Sequence, residues 1–267
     1  MTYDYWGLLS ELHISGIEVK TRGLKTKELT GVQLLVDDYN TVSVPEFRPW
    51  IAISRYLFAE LSWYMTGDRR IDKILPYSSF WNQIKNQDST VNSQYGNLVF
   101  YRKNFYDFTS FEWAVEKLRE DKSTRKALVL YNDKDFFFSS NRDLICNQYQ
   151  NFLIRDNELK CFVHLRSSDA IFGLTFNIPW WSLVHQQLYL TLLKDYPDLR
   201  LGSILASIDS SHIYENKFEL VENMLDSPIK EDRFLRLKKI IPLGKSFEFY
   251  KNEVFTEERD EYFENVI

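Results

Sequence analysis

The sequence has few of the features that mark secreted, membrane or multidomain proteins. Its 267 residues include two cysteines, Cys146 and Cys161, which are too few for the disulfide framework of a small secreted protein. No secretory signal and no apolar run of about 18 residues is present. Linkers rich in Pro, Gly or Ser, internal repeats and low-complexity segments are also missing. We therefore expect a soluble cytoplasmic protein with a single domain over residues 1–267.

The chain also lacks an excess of positive charge. Its 33 Lys and Arg against 38 Asp and Glu give a formal net charge of −5. This balance argues against broad nucleic-acid binding, so an anionic ligand must be met by a local group of cations. Aromatic residues make up 16% of the chain and favour a large packed core or interface.

The hydrophobic pattern predicts a mixture of helices and strands. Helices are predicted at 3–14, 48–65 (ended by Gly67), 111–118, 178–193 (with Asn177 near the N-cap and Pro179 in the first turn) and 211–225. Strands are predicted at 32–36, 127–131, 159–165 and 199–208, with a basic loop before the first of them and a further strand after a turn at Tyr95-Gly96. We expect an α/β (α+β) fold with one large mixed sheet flanked by long helices.

Chemically useful side chains are concentrated after Cys146. Arg166, Ser167, Asp169, Gly173 and Asn177 follow within twelve residues of one another. A lone cysteine is more often a small buried hydrophobe than a nucleophile, but a nearby Arg166 would favour the thiolate.

Two further residues need an interpretation. Cys161 alternates with Leu159, Val163 and Leu165, so we assign it to the core. Glu60 lies in a nearly all-apolar helix and must be hydrogen-bonded, paired or protonated; an ion pair with a neighbouring arginine is the structural alternative to a catalytic role.

Six ordered motifs resemble those of the thymidylate synthase family. R-S-S-D-A-I-F-G-L-T-F-N at 166–177 resembles the family signature R-S-x-D-x-x-x-G-x-x-F-N, and it follows Cys146 at the family's spacing. The others are A-E-L-S-W-Y-M-T-G-D at 59–68, F-W-N-Q-I at 80–84, Q-Y-G at 94–96, S-T-R-K at 123–126 and D-S-S-H-I-Y at 209–214. The resemblance covers nearly the whole chain.

The resemblance implies a reaction and a role for each matching residue. Cys146 would add to C6 of a pyrimidine nucleotide 5′-monophosphate, and C5 would then attack the one-carbon unit of 5,10-methylenetetrahydrofolate without a metal. The implied catalytic residues are Cys146, Glu60 (protons at O4), Tyr95 (the C5 proton) and Arg166. The implied nucleotide-binding residues are Arg166 and Ser167 (phosphate), Arg125 and Lys126 (phosphate, from the partner of a homodimer), Arg22, Asn177 (base), and His212 with Tyr214 (sugar). The implied folate-binding residues are Trp81, Asp169 and Gly173.

Departures from the family pattern bear on the product. Ile145-Cys146-Asn147 replaces Pro-Cys-His, Lys126 replaces a second arginine, and the closing tail that excludes water is missing from E-Y-F-E-N-V-I. These features resemble the phage deoxycytidylate hydroxymethylase branch, in which water quenches the intermediate. That branch carries Asp where this chain has Asn177. The amide of Asn177 favours uracil over cytosine. The leading hypothesis is hydroxymethylation of dUMP. The alternatives are thymidylate synthase, a dCMP or CMP hydroxymethylase, and a non-catalytic nucleotide- or RNA-binding regulator.

Overall fold

The computed structural model describes residues 2–21, 23–36, 50–226, 234–256 and 261–266. The helices in these ranges are α1 (Tyr5–Ser15), α2 (Trp50–Thr66), α3 (Trp81–Ile84), α4 (Ser110–Glu120), α5 (Phe172–Leu192), α6 (Phe218–Asp226) and α7 (Phe247–Phe249). The strands are β1 (Thr2–Tyr3), β2 (Ile17–Thr21), β3 (Leu24–Val36), β4 (Ala127–Leu130), β5 (Asn147–Arg155), β6 (Glu158–Leu165), β7 (Ser168–Asp169), β8 (Arg200–Tyr214), β9 (Phe234–Leu237) and β10 (Phe263–Val266).

One mixed sheet organises the fold. Its strands follow the order β1-β3-β8-β6-β5-β4, with β2 paired to β3 and β7 paired to β8. The pairs β3–β8, β5–β6 and β4–β5 are antiparallel, whereas β6–β8 is parallel. The predicted fold, a large mixed sheet with long helices, is confirmed.

The alternation in β6 shows which face of the sheet is buried. Leu159, Cys161, Val163 and Leu165 are buried, and the residues between them are half-buried. Helix α5 contacts β6 and is itself buried on most sides, as its apolar sequence requires. The assignment of Cys161 to the core is confirmed.

The opposite face of the sheet is partly open and carries apolar side chains. Leu130 is 49% exposed and Leu35 is 40% exposed. Tyr149 stacks on the ring of His164 with centroids 5.5 Å apart, and His164 Nε2 lies 3.3 Å from the Asp209 carboxylate. A sheet face of this composition is suited to packing against another protein surface.

The basic run near the N-terminus forms a hairpin, so the predicted loop is wrong. Strands β2 and β3 pair antiparallel with Val19 opposite Thr26, and Gly23 takes φ +84° at the turn. The lysines alternate with apolar and β-branched residues, which is the period of a strand. Lys27 donates to a backbone carbonyl of α1. Arg22 lies outside the described residues.

Helix α5 begins earlier than the sequence pattern predicts. It starts at Phe172, so Asn177 lies in its second turn and Pro179 lies inside it. The Asp169 carboxylate accepts hydrogen bonds from the backbone N–H of Ile171 at 2.8 Å and of Phe172 at 3.3 Å, and so satisfies donors of the first turn. Burial of the helix outweighs the one backbone bond that the proline removes.

Strand β8 is longer than predicted and replaces the first turn of a predicted helix. It continues to Tyr214 and pairs with β3 along this extension. Ser211 and Ile213 are buried while His212 and Tyr214 are half-buried, which is a period of two. The helix that follows, α6, begins only at Phe218.

No strand follows Tyr95 and Gly96, in contrast to the prediction. Residues Asn97–Tyr101 form a π-helical turn. Gly96 lies against the end of α2, where an added Cβ would be 1.6 Å from the carbonyl oxygen of Tyr64. This close backbone approach excludes any other residue and fixes the neighbouring Tyr95 against α2.

The last described segment belongs to a second, two-stranded sheet. Strand β10 pairs antiparallel with β9. Phe263 is buried, with its ring centroid 5.9 Å from that of Phe255. The backbone N–H of Leu237 in β9 donates to the Gln186 side chain, which ties this small sheet to α5.

Candidate active site

The segment that carries Cys146 is held by Arg166. Cys146 is half-buried and lies immediately before β5. The Arg166 backbone N–H donates to the Cys146 carbonyl at 3.1 Å, and its guanidinium donates to the carbonyls of Ile145 at 3.0 Å and Leu144 at 2.5 Å. These contacts fix the backbone of residues 144–146 and place the permanently charged guanidinium of Arg166 beside it.

Asp143 joins this segment to the one that carries Tyr95. Its buried carboxylate accepts from the backbone N–H of Asn92 at 2.6 Å and of Ser93 at 2.8 Å. Burial raises the pKa of Asp143, although these donors oppose the shift. Burial, followed by the negative charge of the Cys146 thiolate, raises the pKa of Tyr95. The Tyr95 phenol therefore stays protonated near the thiol.

Glu60 lies in a cluster of aromatic side chains, and none of the described residues forms an ion pair with it. Its Oε1 accepts from the Tyr56 hydroxyl at 2.7 Å and from the Tyr64 hydroxyl at 3.4 Å. Trp81 Nε1 donates to the Tyr56 oxygen at 3.1 Å. Burial raises the pKa of Glu60 to about 7, and both hydroxyls partly oppose that rise. A carboxyl titrating near neutrality is suited to both giving and accepting a proton.

The first turns of α5 present a half-buried face. Gly173, Phe176 and Asn177 lie on this face, with Gly173 and Asn177 four residues apart. A Cβ on Gly173 would lie 2.9 Å from Ser168 Oγ, so a larger residue would push the helix away from β7. Within the described part of the chain, no residue bonds the Asn177 amide, which leaves its donor and acceptor available.

The edge formed by β7 and β8 brings Asp169 together with His212. The two residues pair in the parallel register, and the rings of His212 and Tyr214 are 5.2 Å apart. Burial raises the pKa of the Asp169 carboxyl, and burial lowers the pKa of the His212 imidazole while Asp169 opposes that shift. The residues predicted for sugar and folate binding therefore lie side by side.

The predicted phosphate-binding residues fall at two ends of the sheet. Ser167 directly follows Arg166, whose backbone N–H bonds the carbonyl of Cys146. Arg125 and Lys126 are exposed just before β4, at the end where Ala127 pairs with Phe152. Phe152 lies six positions after Cys146 along the chain, which is about 20 Å of strand. Arg125 and Lys126 are thus remote from Cys146 of the same chain.

Sequence reasoning missed several residues of this site. Tyr56 and Tyr64 read as core aromatics, although their spacing from Glu60, one helical turn on either side, places all three on one helix face. Asn147 is fully buried and accepts from Trp181 Nε1 at 3.1 Å, but its Nδ2 has no partner among the described residues. Asp143 carried no sequence signal because its partners are backbone groups.

A separate cleft of about 1210 Å³ has Asn82 of α3 and Lys85 in its lining. It is lined by polar and basic side chains, and none of the predicted site residues lines it. Four of its cations are Arg69, Lys85, Arg102 and Arg142. Arg102 is paired with Asp133 at 2.9 Å and with Asp135 at 3.2 Å.

The described residues offer neither a metal centre nor a membrane-spanning helix. Among the residues that the structure describes, no group of three or more His, Cys, Asp or Glu side chains is placed to hold a metal ion. Across the same residues, none of the helices is long and apolar enough to cross a membrane.

Comparison with known proteins identifies the family. Residues 3–257 match the model of the thymidylate synthase family. The chain is 26% identical to the deoxycytidylate 5-hydroxymethyltransferase of Enterobacteria phage T6 over 213 residues, 77% of this chain and 82% of that protein. It is 25% identical to the same enzyme of phage T4 over an equal length. It is also 26% identical over 185 residues to the thymidylate synthase of Vesicomyosocius okutanii, 67% of each chain.

The chain belongs to the thymidylate synthase family, as its motifs predict. It is a one-carbon-transferring enzyme, and its reaction is a folate-dependent modification of C5 of a pyrimidine nucleotide. Enzymes of this family use methylenetetrahydrofolate as cosubstrate. The regulator without catalytic activity is therefore excluded as a description of the chain.

Proposed function

We propose that the enzyme hydroxymethylates C5 of dUMP, consuming 5,10-methylenetetrahydrofolate and water and releasing tetrahydrofolate. The observation that carries the choice of product is the extent of the matches. Hydroxymethyltransferases match over 213 residues and 82% of their length, whereas the synthases match over 185 and 196 residues, 67% and 65% of theirs. No net oxidation occurs in this reaction, in contrast to the synthase reaction, in which folate supplies a hydride.

The site residues divide the bond changes among them. The Cys146 thiolate forms a bond to C6, and the displaced electron pair passes to C5 and O4, where Glu60 supplies a proton. C5 then forms a bond to the one-carbon unit. It loses its proton with help from Tyr95, and the bond between the one-carbon unit and the folate nitrogen breaks, so tetrahydrofolate leaves. Water adds to the resulting exocyclic methylene, and Cys146 leaves. Arg166 stabilises the thiolate before attack, and with Ser167 it binds the phosphate.

Binding would use the remaining predicted residues. His212 and Tyr214 would hold the sugar, and the half-buried face of α5 would meet the base through Asn177 and the folate through Gly173. Trp81 and Asp169 would complete the folate contacts. Two contacts support these roles: Asp169 pairs with His212, and Trp81 is joined to Glu60 through Tyr56.

The base is assigned from the Asn177 amide. An amide can give its carbonyl to N3–H and its NH₂ to O4 of uracil, and the reversed amide answers cytosine. Since no described residue fixes the amide, dCMP is a second candidate, and the names of the phage relatives favour it. We expect Asn177→Asp to shift the dUMP/dCMP preference towards dCMP by about 1–3 kcal/mol, measured as the ratio of kcat/KM values.

Product analysis tests the proposed reaction. The enzyme is incubated with methylenetetrahydrofolate and, separately, dUMP, dCMP, UMP or CMP, and the products are identified by mass spectrometry. A hydroxymethyl product differs from a methyl product by one oxygen atom. Formation of 5-hydroxymethyl-dUMP with tetrahydrofolate is expected. Formation of dTMP with dihydrofolate, which is also visible as an absorbance rise, would establish the synthase reaction instead.

The enzyme is proposed to be a homodimer in which each phosphate site receives Arg125 and Lys126 from the partner. The distance of these residues from Cys146 of their own chain and the partly open apolar sheet face both support this arrangement. Arg125→Ala should weaken nucleotide binding by about 1.5–3 kcal/mol, because a charge-assisted bond is lost.

Mixing two impaired variants tests the sharing of sites. After Arg125→Ala and Cys146→Ala chains are refolded together, each mixed dimer has one intact site and one doubly damaged site. Statistical mixing should restore about one quarter of wild-type activity at low nucleotide concentration. An active monomer in sedimentation, or no gain of activity on mixing, would contradict the shared site.

A further inference from the structure

Tyr56 occupies the point where the Glu60 cluster meets Trp81. It lies one turn before Glu60 on α2, and its hydroxyl donates to Glu60 Oε1 at 2.7 Å. The same oxygen accepts from Trp81 Nε1 at 3.1 Å. A single hydroxyl thus links a carboxyl proposed to move protons at the base with an indole proposed to contact folate.

Tyr64 offers a matched comparison within the same helix. It lies one turn after Glu60, and its hydroxyl is 3.4 Å from the same carboxylate oxygen. A bond of 2.7 Å to a carboxylate has the length of a strong charge-assisted bond, whereas 3.4 Å is near the limit of hydrogen bonding. The two tyrosines therefore differ in the strength of the bond and not in the kind of group.

Neighbouring groups hold the Tyr56 hydroxyl in place. Its ring meets the edge of Phe176, the residue before Asn177, with centroids 4.7 Å apart. The bond that it accepts from Trp81 polarises its O–H and strengthens the bond that it gives to Glu60. Tyr56 is thereby fixed by α2, α3 and α5 together.

We propose that Tyr56 is a positioning residue, which orients the Glu60 carboxyl and couples it to Trp81 so that folate binding is felt at Glu60. The roles of Glu60 and Trp81 rest on the proposed function, but the coupling itself does not depend on which product forms. Loss of the Tyr56 hydroxyl removes a donor that favours the ionised carboxylate. The pKa of Glu60 then rises further, and the pH at which activity changes rises with it, whichever form of Glu60 is required.

The test compares Tyr56→Phe with Tyr64→Phe. In ligand-free protein with ¹³C-labelled glutamate carboxyls, the Glu60 resonance is identified by its loss in Glu60→Gln and is followed against pH. Tyr56→Phe should raise its midpoint by about one unit or more, which is the effect of losing a hydrogen bond to a charged group. Trp81→Phe should raise it less, and Tyr64→Phe least. Equal midpoints in Tyr56→Phe and Tyr64→Phe would overturn the proposal.

Two further measurements test the coupling. Adding dUMP and tetrahydrofolate should move the Glu60 resonance of the wild type, and this movement should shrink in Tyr56→Phe but persist in Tyr64→Phe. An unchanged movement in Tyr56→Phe refutes the link to Trp81. The pH profile of C5-proton release should shift in the same order as the midpoints. Since the ligand-free titration needs no turnover, its outcome is separate from that of the product analysis.

Discussion

Two buried polar regions of the core respond differently to the same burial. Around Glu60 on α2, burial raises the pKa of a carboxyl to about 7. Between α5 and the sheet, burial raises the pKa of the Cys161 thiol to about 12 and lowers that of the His185 imidazole to about 4. Desolvation favours the neutral form in all three cases. It moves only the carboxyl towards physiological pH, so the second region stays neutral while the first can exchange protons.

The two cysteines show how different surroundings affect the same type of side chain. Cys146 is half-buried beside Arg166, whereas Cys161 is buried and its sulfur accepts a hydrogen bond from Gln150 Nε2 at 3.3 Å. A neutral thiol in an apolar position is a poor nucleophile, and a thiol beside a fixed cation can ionise. Residue type therefore identifies candidates, and surroundings decide between them.

The largest expected effect separates these cysteines. Cys146→Ala should lower release of the C5 proton by at least about 10³-fold, because no covalent bond to C6 can form. Cys161→Ala is the matched control; it removes one buried atom and should retain most of the activity. Isotope release from C5-labelled nucleotide measures both. Near-normal release in Cys146→Ala would remove the covalent mechanism.

Sequence reasoning succeeded where the signal was local chemistry. The order and spacing of Cys146, Arg166 and Asn177 identified the protein family, and the alternation in β6 correctly assigned Cys161 to the core. It failed where the three-dimensional structure overrode a local rule. Pro179 predicted that the helix starts near Asn177. Helix α5 instead starts at Phe172, where the Asp169 carboxylate accepts hydrogen bonds from backbone N–H groups at its N-terminus.

Other parts of the site had no signal that a sequence could carry. The hydroxyl of Tyr56 has a partner only because α3 places Trp81 against it. The role of Asp143 depends on backbone N–H groups some fifty positions away in the chain. In the proposed homodimer, the proximity of Arg125 to a phosphate would depend on a second subunit. Contacts between distant segments and between chains follow from the fold, and periodicity does not encode them.

Glu60→Gln should separate activity from stability. Activity should fall by about 10²–10⁴-fold, the usual contribution of a positioned acid or base. Stability should respond in the opposite direction, because the folded-state pKa of about 7 lies above the ordinary value of 4.5. The stabilisation from protonated Glu60 is complete below pH 4.5 and is lost as pH rises through 7. The Glu60→Gln variant does not lose this stabilisation, because glutamine does not titrate.

Chemical unfolding of wild type and Glu60→Gln between pH 4.5 and 8 measures the effect. The difference in unfolding free energy should grow in favour of the variant by about 3 kcal/mol over this range. Glu253→Gln, at an exposed position of the described chain, is the control for the loss of one carboxylate charge. A constant difference between wild type and Glu60→Gln would mean that the pKa of Glu60 is the same in the folded and unfolded states.

His185 should show the reverse pH dependence without any role in catalysis. Its Nε2 donates to the Leu159 carbonyl at 2.8 Å, and its folded-state pKa of about 4 lies below the ordinary value of 6.5. Between these values the unfolded chain binds the extra proton, so stability is complete above pH 6.5 and falls by about 3 kcal/mol as pH drops to 4. Over most of this range the contributions of His185 and Glu60 to the slope of unfolding free energy against pH have opposite signs and partly cancel.

His185→Gln keeps a hydrogen-bond donor for the Leu159 carbonyl but removes the contribution of the imidazole. Stability should therefore fall more steeply with rising pH, while turnover at neutral pH stays near that of the wild type. Unfolding curves at pH 4, 5.5 and 7 measure this slope, and a variant with the wild-type slope would show that the pKa of the imidazole is the same in the folded and unfolded states.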